Sequence, residues 1–225
     1  MSLQKRKSRK TVVAVLAHPD DEAFGPSGTI HKFTKTHDVY LLCATKGEAG
    51  KNSGNHKNLG KTRERELRPS AKILGVKKVY FLAFVDGTLS NSLYHELAAK
   101  IEVHLKRLKP QTVITFEPRG VSGHIDHITV SMATSFVCQK LPFVKTILYH
   151  CITDKMRNTI SDNYFIYFPP GYKRSEIAKI VKVTDVWETK IKAMMAHKSQ
   201  IQDAKRILAM RQKFPKEEYF LVLKK

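Results

Sequence analysis

Thr11-Val12-Val13-Ala14-Val15-Leu16-Ala17-His18-Pro19-Asp20-Asp21-Glu22 is the stretch on which the reading of this chain turns. Its first half is short, β-branched and uncharged, the pattern of a strand buried on both faces of a parallel sheet. Its second half sets a His and two Asp on the loop at the strand's carboxyl end, where open α/β sheets gather their ligands. A His and an Asp three residues apart can turn toward one cation, while the intervening Asp20 is directed elsewhere and stays available for proton chemistry. A second cluster, Gly123-His124-Ile125-Asp126-His127, follows another apolar run, Thr112-Val113-Ile114-Thr115-Phe116. Together the clusters can complete a three-ligand metal site, which points to a metal-dependent hydrolase.

The chain between and beyond them alternates strand and helix, the unit of a parallel sheet. A helix opening near Gly25 to Phe33, capped by Ser27 or Thr29, leads to the apolar run 38–45. Helices over 61–74, stopped by Gly75, and over roughly 93–108 alternate with strands at 78–84 and 112–116. The second of these helices offers Leu97, Ile101, Val103, Leu105 and Leu108 for its buried side. A helix from Ile125 sets His124 and His127 one turn apart at its start. Further strands are expected at 144–151 and 163–168, and one helix over 187–210 covering a face of the sheet, its Met194 and Met195 filling core. The Gly/Asn/Lys-rich segment 51–58 reads as a mobile loop bordering the pocket. No repeat or linker divides the chain, so one domain is expected over residues 1–225, the first ten being a basic, flexible tail.

Composition narrows the partners. An apolar fraction of 42% is ordinary for a globule, but a formal charge of +20 is extreme and asks for anionic surroundings or a well-solvated surface. The basic run 5–10 lacks the apolar segment that a secretory signal places after it, and no stretch approaches the roughly 20 apolar residues of a membrane span. Three cysteines without CxxC spacing oppose a disulfide framework and a thiolate zinc site. A cytoplasmic protein with no transmembrane segment is therefore expected. A basic nucleic-acid-binding α/β protein without catalysis is the competing reading. It finds no zinc-finger spacing, aromatic-interleaved RNA motif or recognition-helix pattern, so nucleic acid is disfavoured as a partner. No GxGxxG follows the first strand, which opposes a dinucleotide site.

Two His and one Asp leave Zn2+ a position open for water, whose pKa such coordination lowers to about 7. Asp20 is the candidate to take the proton. His124 is placed to be a cation that stabilises the tetrahedral oxyanion or protonates the leaving amine. Asp126 would hold an imidazole in orientation.

The paired motifs resemble the two signatures of the LmbE-like, or PIG-L, family of zinc-dependent N-acetylglucosamine deacetylases. Thr45-Lys46-Gly47-Glu48-Ala49-Gly50, the pair Arg63 and Glu66, Asp86-Gly87, and Ala196-His197-Lys198-Ser199-Gln200 are similar to further family segments. The resemblance implies a Rossmann-like three-layer sandwich with a mainly parallel sheet, and hydrolysis of the acetamide of an N-acetylglucosaminyl small molecule or glycan to amine and acetate. It puts the metal ligands, for Zn2+ or another divalent cation, on His18, Asp21 and His127. The general base falls on Asp20 and the oxyanion-stabilising histidine on His124. Arg63 and Asp86 match positions that hold sugar or aglycone groups in relatives. Ile125 stands where many bacterial members have Pro. Relatives often assemble, so a homo-oligomer accords with the resemblance.

Overall fold

The computed structural model describes residues 9–52, 54–160 and 167–225. Its centre is β1 (Thr11–Leu16), whose residues from Val12 to Leu16 are shut off from solvent. A strand so apolar needs neighbours on both edges and cover on both faces. It has β2 (Asp38–Cys43) on one edge and β4 (Thr112–Phe116) on the other, with β3 (Lys78–Phe81) beyond β2 and β5 (Thr146–Cys151) beyond β4, all parallel. Two antiparallel strands, β6 (Lys179–Lys182) and β7 (Glu217–Lys224), complete the order β3-β2-β1-β4-β5-β7-β6. Sequence periodicity did not anticipate these two. The strand order reverses between β1 and β4, which opens a crevice at their carboxyl ends. The two motif clusters are the loops that leave those ends.

Helices cover the sheet. The short α1 (Asp21–Phe24) leads into α2 (Ser27–Thr36), which packs with α3 (Leu59–Leu74) and α8 (Trp187–Ala196), while α4 (Tyr94–Leu108) packs with α6 (Ile125–Lys140). The turn α5 (Gly120–Gly123), α7 (Asp154–Arg157) and α9 (Ile201–Arg211) each contribute residues to the cavity at the crevice. Among the described residues, no helix is long and apolar enough to cross a membrane.

Three expectations need correction. On α4, Leu97, Ile101 and Leu105 are buried but Val103 is 66% exposed; two residues from Ile101 is about 200° around the helix, on the opposite face. The expected helix over 187–210 is broken between Ala196 and Ile201, where His197 is buried on Glu22 and Ser199 on Glu66. The expected strand over 163–168 has residues 163–166 outside those described, and Tyr167 and Phe168 are not in a strand.

The cap of α2 is a fourth. Pro26 holds the cap position without a side-chain bond, and neither Ser27 nor Thr29 supplies one. The carboxylate of Glu218, on β7, takes that role, accepting from the N–H groups of Gly28 (2.9 Å) and Thr29 (2.8 Å). Lys190 Nζ neutralises it at 2.9 Å and also donates to the Gly25 carbonyl and Ser27 Oγ, both charged groups being wholly buried. The last strand thus clamps the helix that follows the His18–Glu22 loop.

Removing one partner of such a pair strands a buried charge. Lys190→Met is expected to destabilise the chain by roughly 3–5 kcal/mol, read as a lower urea midpoint at unchanged slope. Adding Glu218→Gln should restore part of the loss. A single variant with the parent midpoint would show that the clamp contributes nothing.

Candidate metal centre

The loop after β1 is strained. Asp20 has φ 116° and ψ −25°, a conformation costing a non-glycine residue of order 1–3 kcal/mol. Its N–H donates to Glu22 Oε2 at 3.1 Å, and Glu22, itself buried, accepts from Ser70 Oγ (2.5 Å) and pairs with His197 Nε2 (2.7 Å). The His18 N–H donates to Asp21 Oδ2 at 2.7 Å. This bracing sends Asp20 toward Arg63, whose Nη2 donates to Asp20 Oδ2 (2.8 Å) and the Pro19 carbonyl (2.6 Å), with Nη1 on the Gly47 carbonyl (2.7 Å). A Cβ at Gly47 or Gly50 would overlap that guanidinium, which accounts for the Thr45–Gly50 segment. Burial lifts the Asp20 carboxyl to about 6, against the pull of Arg63.

The loop after β4 is organised by Glu117, buried and accepting from the N–H groups of Arg119 and Val121 and from the Tyr172 hydroxyl. The turn it holds has Gly120 at φ 70° and Val121 at φ 65°. It aims the Gly120 carbonyl at His127 Nδ1, 3.0 Å away. A carbonyl can only accept, so Nδ1 carries the proton and Nε2 is left with its lone pair. Phe116 stacks on the ring at 4.0 Å.

His18 is fixed by the same logic from the other side. Its Nε2 lies 2.8 Å from Asp86 Oδ1 and 3.2 Å from Asp126 Oδ2. Ionised carboxylates accept, so Nε2 holds the proton and Nδ1 the lone pair. The Ala49 N–H bonds to Asp86, and those of Gly87 and Leu89 to Asp126, which leaves both carboxylates behind the ring.

Two unprotonated nitrogens therefore face each other, His18 Nδ1 and His127 Nε2, 3.2 Å apart. Asp21 closes the triangle, with Oδ2 at 3.6 Å from the first and Oδ1 at 3.3 Å from the second. Three acceptors repel one another; a proton bridges one pair, whereas a divalent cation satisfies all three. Zinc with bonds of about 2.0–2.1 Å in tetrahedral geometry needs ligand atoms about 3.3–3.4 Å apart, so the donor set fits. Burial opposes charge on Asp21, but His127 and His18 hold its carboxyl well below the usual range. Burial likewise disfavours a charged His18, yet its bonds to Asp126, Asp21 and Asp86 raise its pKa well above the ordinary imidazole value; the proton that bridges one pair of these acceptors is thus held at Nδ1, where a divalent cation would replace it.

His124 has a nitrogen within 4.8 Å of the same two histidines' donor atoms, and Asp86 and Asp126 group with His18 in the same way. Their other bonds separate the roles. His124 Nδ1 accepts the Asp126 N–H at 3.1 Å as the cap of α6, so the proton sits on Nε2. Burial, then the neighbouring His127 and His18, push its pKa down to about 4. His124 is thus a neutral N–H donor rather than the cation expected from the sequence.

A cavity of about 570 Å³ opens over these groups, reached by Asp20, Arg63 and Asp86 as well as the three candidate ligands. Its apolar lining includes Val121, Ile152 and Met156 with Ile207 and Met210 of α9, beside the polar Gln200, Asp203 and Arg206. The sequence motifs do not single out His150, which sits on β5 in register with Phe116 and reaches the cavity, its pKa lowered to about 3, chiefly by burial. Its position near the end of the strand beside β4 is the signal that could have found it. Glu22 and Glu117 likewise carry no metal-ligand spacing of their own, and the helical spacing of α9 suggests sheet cover rather than a cavity wall.

The PIG-L family, described as GlcNAc-PI de-N-acetylase, matches the chain over residues 13–138. A probable N-acetyl-alpha-D-glucosaminyl L-malate deacetylase 2 from Bacillus anthracis is 28% identical over 200 residues, 86% of this chain and 83% of its own length. A diacetylchitobiose deacetylase from Thermococcus kodakarensis is 30% identical over 203 residues, 86% and 71% of the two lengths. The solved N,N'-diacetylchitobiose deacetylase from Pyrococcus horikoshii superposes with a TM-score of 0.73 at 23% identity, covering 96% of this chain and 84% of that one.

The donor set makes its own forecast. Asp21→Ala and His127→Ala should each abolish stoichiometric zinc by elemental analysis. Asp126→Ala should keep the ligands but weaken zinc roughly 10- to 100-fold in competition with a chelator, because His18 loses its support. Full zinc in His127→Ala would place the metal elsewhere.

Proposed function

The chain belongs to the PIG-L family, and we propose that it hydrolyses the acetamide of an N-acetylglucosaminyl compound, His18, Asp21 and His127 holding Zn2+ or another divalent cation. The products are acetate and the amine. The observation that carries this reading is the convergence of two lone-pair nitrogens and a carboxylate beside a second carboxylate, Asp20, that does not join them. When bound, the cation polarises the acetamide carbonyl and acidifies water.

Asp20 is the general base. Arg63 holds one of its oxygens, which fixes the carboxylate at the cavity edge, where it takes a proton from the attacking water and returns it to the departing nitrogen. His124 offers its Nε2–H to the oxyanion of the tetrahedral intermediate, its orientation set by the cap bond at Nδ1. Asp126 acts through His18, keeping that ring's proton on the side away from the cation. Arg63 and Asp86 reach the cavity and meet the sugar or its aglycone while holding Asp20 and His18 in place. That the seven strands among the described residues share one sheet supports a single catalytic domain. The buried, unpaired Cys43, Cys138 and Cys151 accord with a reducing, cytoplasmic setting.

The test is acetate release across a panel of N-acetylglucosaminyl conjugates, with metal content measured in parallel. Asp20→Asn should abolish turnover while retaining stoichiometric metal; wild-type turnover in that variant would remove Asp20 as the base. His124→Ala should lower kcat roughly 100-fold or more. An unaltered kcat would take His124 out of the mechanism.

A further inference from the structure

The end of the sheet away from the crevice is basic out of proportion to the rest of the chain. Backbone bonds tie the strand ends there into a row, the N–H groups of Lys77, Asp38, Gln111, Lys145 and Lys225 donating in turn to the carbonyls of Val39, Lys10, Thr11, Gln111 and Lys145. Residues 9–12, 34–40, 72–79, 102–113, 138–147 and 221–225 build this rim and hold thirteen Lys and Arg against two acids, where the whole chain has 40 against 20. Both acids are engaged by neighbours: Asp38 pairs with Lys77 and Arg9, and Glu102 with Lys106. Lys35, Lys72, Arg107 and Lys140 stand in the last turns of α2, α3, α4 and α6, where cations complement the helix dipole. No such reason covers Lys10, Lys78, Lys145 and Lys224 at the ends of β1, β3, β5 and β7, because a sheet's net dipole is small. All four are exposed, and none has a carboxylate within ion-pair distance among the described residues.

Tyr80 adds to the crowding by holding two of the cations at once, Lys78 Nζ at 5.0 Å and the Arg107 guanidinium at 4.8 Å from its ring centre. Like charges kept together repel until an anion joins them. The row runs from β3 to β7, five strand spacings or about 24 Å, so it matches an extended polyanion. The exposed apolar side chains of the rim, Ile73, Val103 and Leu223, lie on three separate elements and form no face that would enter a bilayer. We propose that the rim binds the phosphate backbone of a nucleic acid, whatever its base sequence. Backbone contact needs none of the base-reading motifs that the sequence lacks. The crevice opens at the opposite end of the parallel strands and stays free for its own substrate, so this second activity does not depend on the deacetylase reading.

Fluorescence anisotropy with a labelled, mixed-sequence single strand of about 20 nucleotides measures the affinity of the full chain. Raising salt from about 50 to about 200 mM should weaken binding about fiftyfold or more, the loss that goes with roughly four neutralised phosphates. Lys10→Gln, Lys78→Gln, Lys145→Gln and Lys224→Gln combined should weaken it roughly tenfold or more at the lower salt and flatten the salt dependence. A control that removes the same charge at the crevice end, Lys57→Gln with Lys155→Gln, Lys205→Gln and Lys213→Gln, should stay within about twofold of the parent. All eight side chains are exposed, so both variants should keep the parent's urea midpoint. Equal losses in the two variants would show that net charge, rather than the rim, attracts the strand, and would overturn the proposal. So would absence of oligonucleotide binding at the lower salt, and so would binding to phosphatidylglycerol-containing vesicles with none to the oligonucleotide.

Discussion

Three electron-pair acceptors held at 3.2 to 3.6 Å in a sheltered place set the terms for the rest of this molecule. Such an arrangement is unfavourable unless positive charge, a proton or a cation, occupies its centre, and the outer bonds of both rings keep that side of each imidazole turned toward it. The Gly120 carbonyl holds the proton of His127 on Nδ1; Asp86 and Asp126 hold that of His18 on Nε2. Neither ring can turn its N–H inward without breaking a bond on its outer side. Glu117, through the turn containing Gly120 and Val121, and Glu22, through the N–H of Asp20, extend the same constraint one layer outward.

The end of the chain secures its beginning. Glu218 caps α2, His197 pairs with Glu22, Ser199 bonds Glu66 on the helix that carries Arg63, and Gln200 donates to the Lys51 carbonyl. Each contact joins residues more than a hundred positions apart, and each touches a segment that bears on the loop after β1. The strain stored at Asp20 is sustained by this outer frame, since the six residues of the motif could not hold it alone. The family segment around His197 therefore supports the site from behind, and the apolar face of α9 that follows it shapes the cavity.

What was legible in the sequence was whatever a local pattern fixes. Apolar runs, β-branched in β1 and β4, gave β1, β2 and β4, and dense polar clusters at the ends of β1 and β4 marked the loops that meet. Gly75 ended α3 with φ 83°, as its position suggested. What was not legible depends on distant partners: the cap of α2 lies 190 residues away, and the break at His197 exists because Glu22 awaits its imidazole. Val103 differs for another reason: its apolar type suits a core, but its helical phase turns it to solvent. The sequence suggests a cationic His124 from its place one turn from His127, yet its Nδ1 accepts the Asp126 backbone N–H, while the Asp126 carboxylate turns to His18.

The overall charge of +20 sharpens what the local geometry must do. A strongly basic surface repels a divalent cation, so capture cannot rely on the long-range field. In physiological salt that field is screened within about 8 Å, while interactions among buried groups are screened much less. Asp20, Asp21, Asp86 and Asp126 gather on one small region, with Arg63 paired to the first. Inside the screening distance these carboxylates outweigh the surface, and a divalent cation would meet an acidic, preshaped site within a basic protein. The two signs of charge therefore act at different ranges: the surface field reaches molecules as they approach, and the carboxylates at the crevice act only on what has entered.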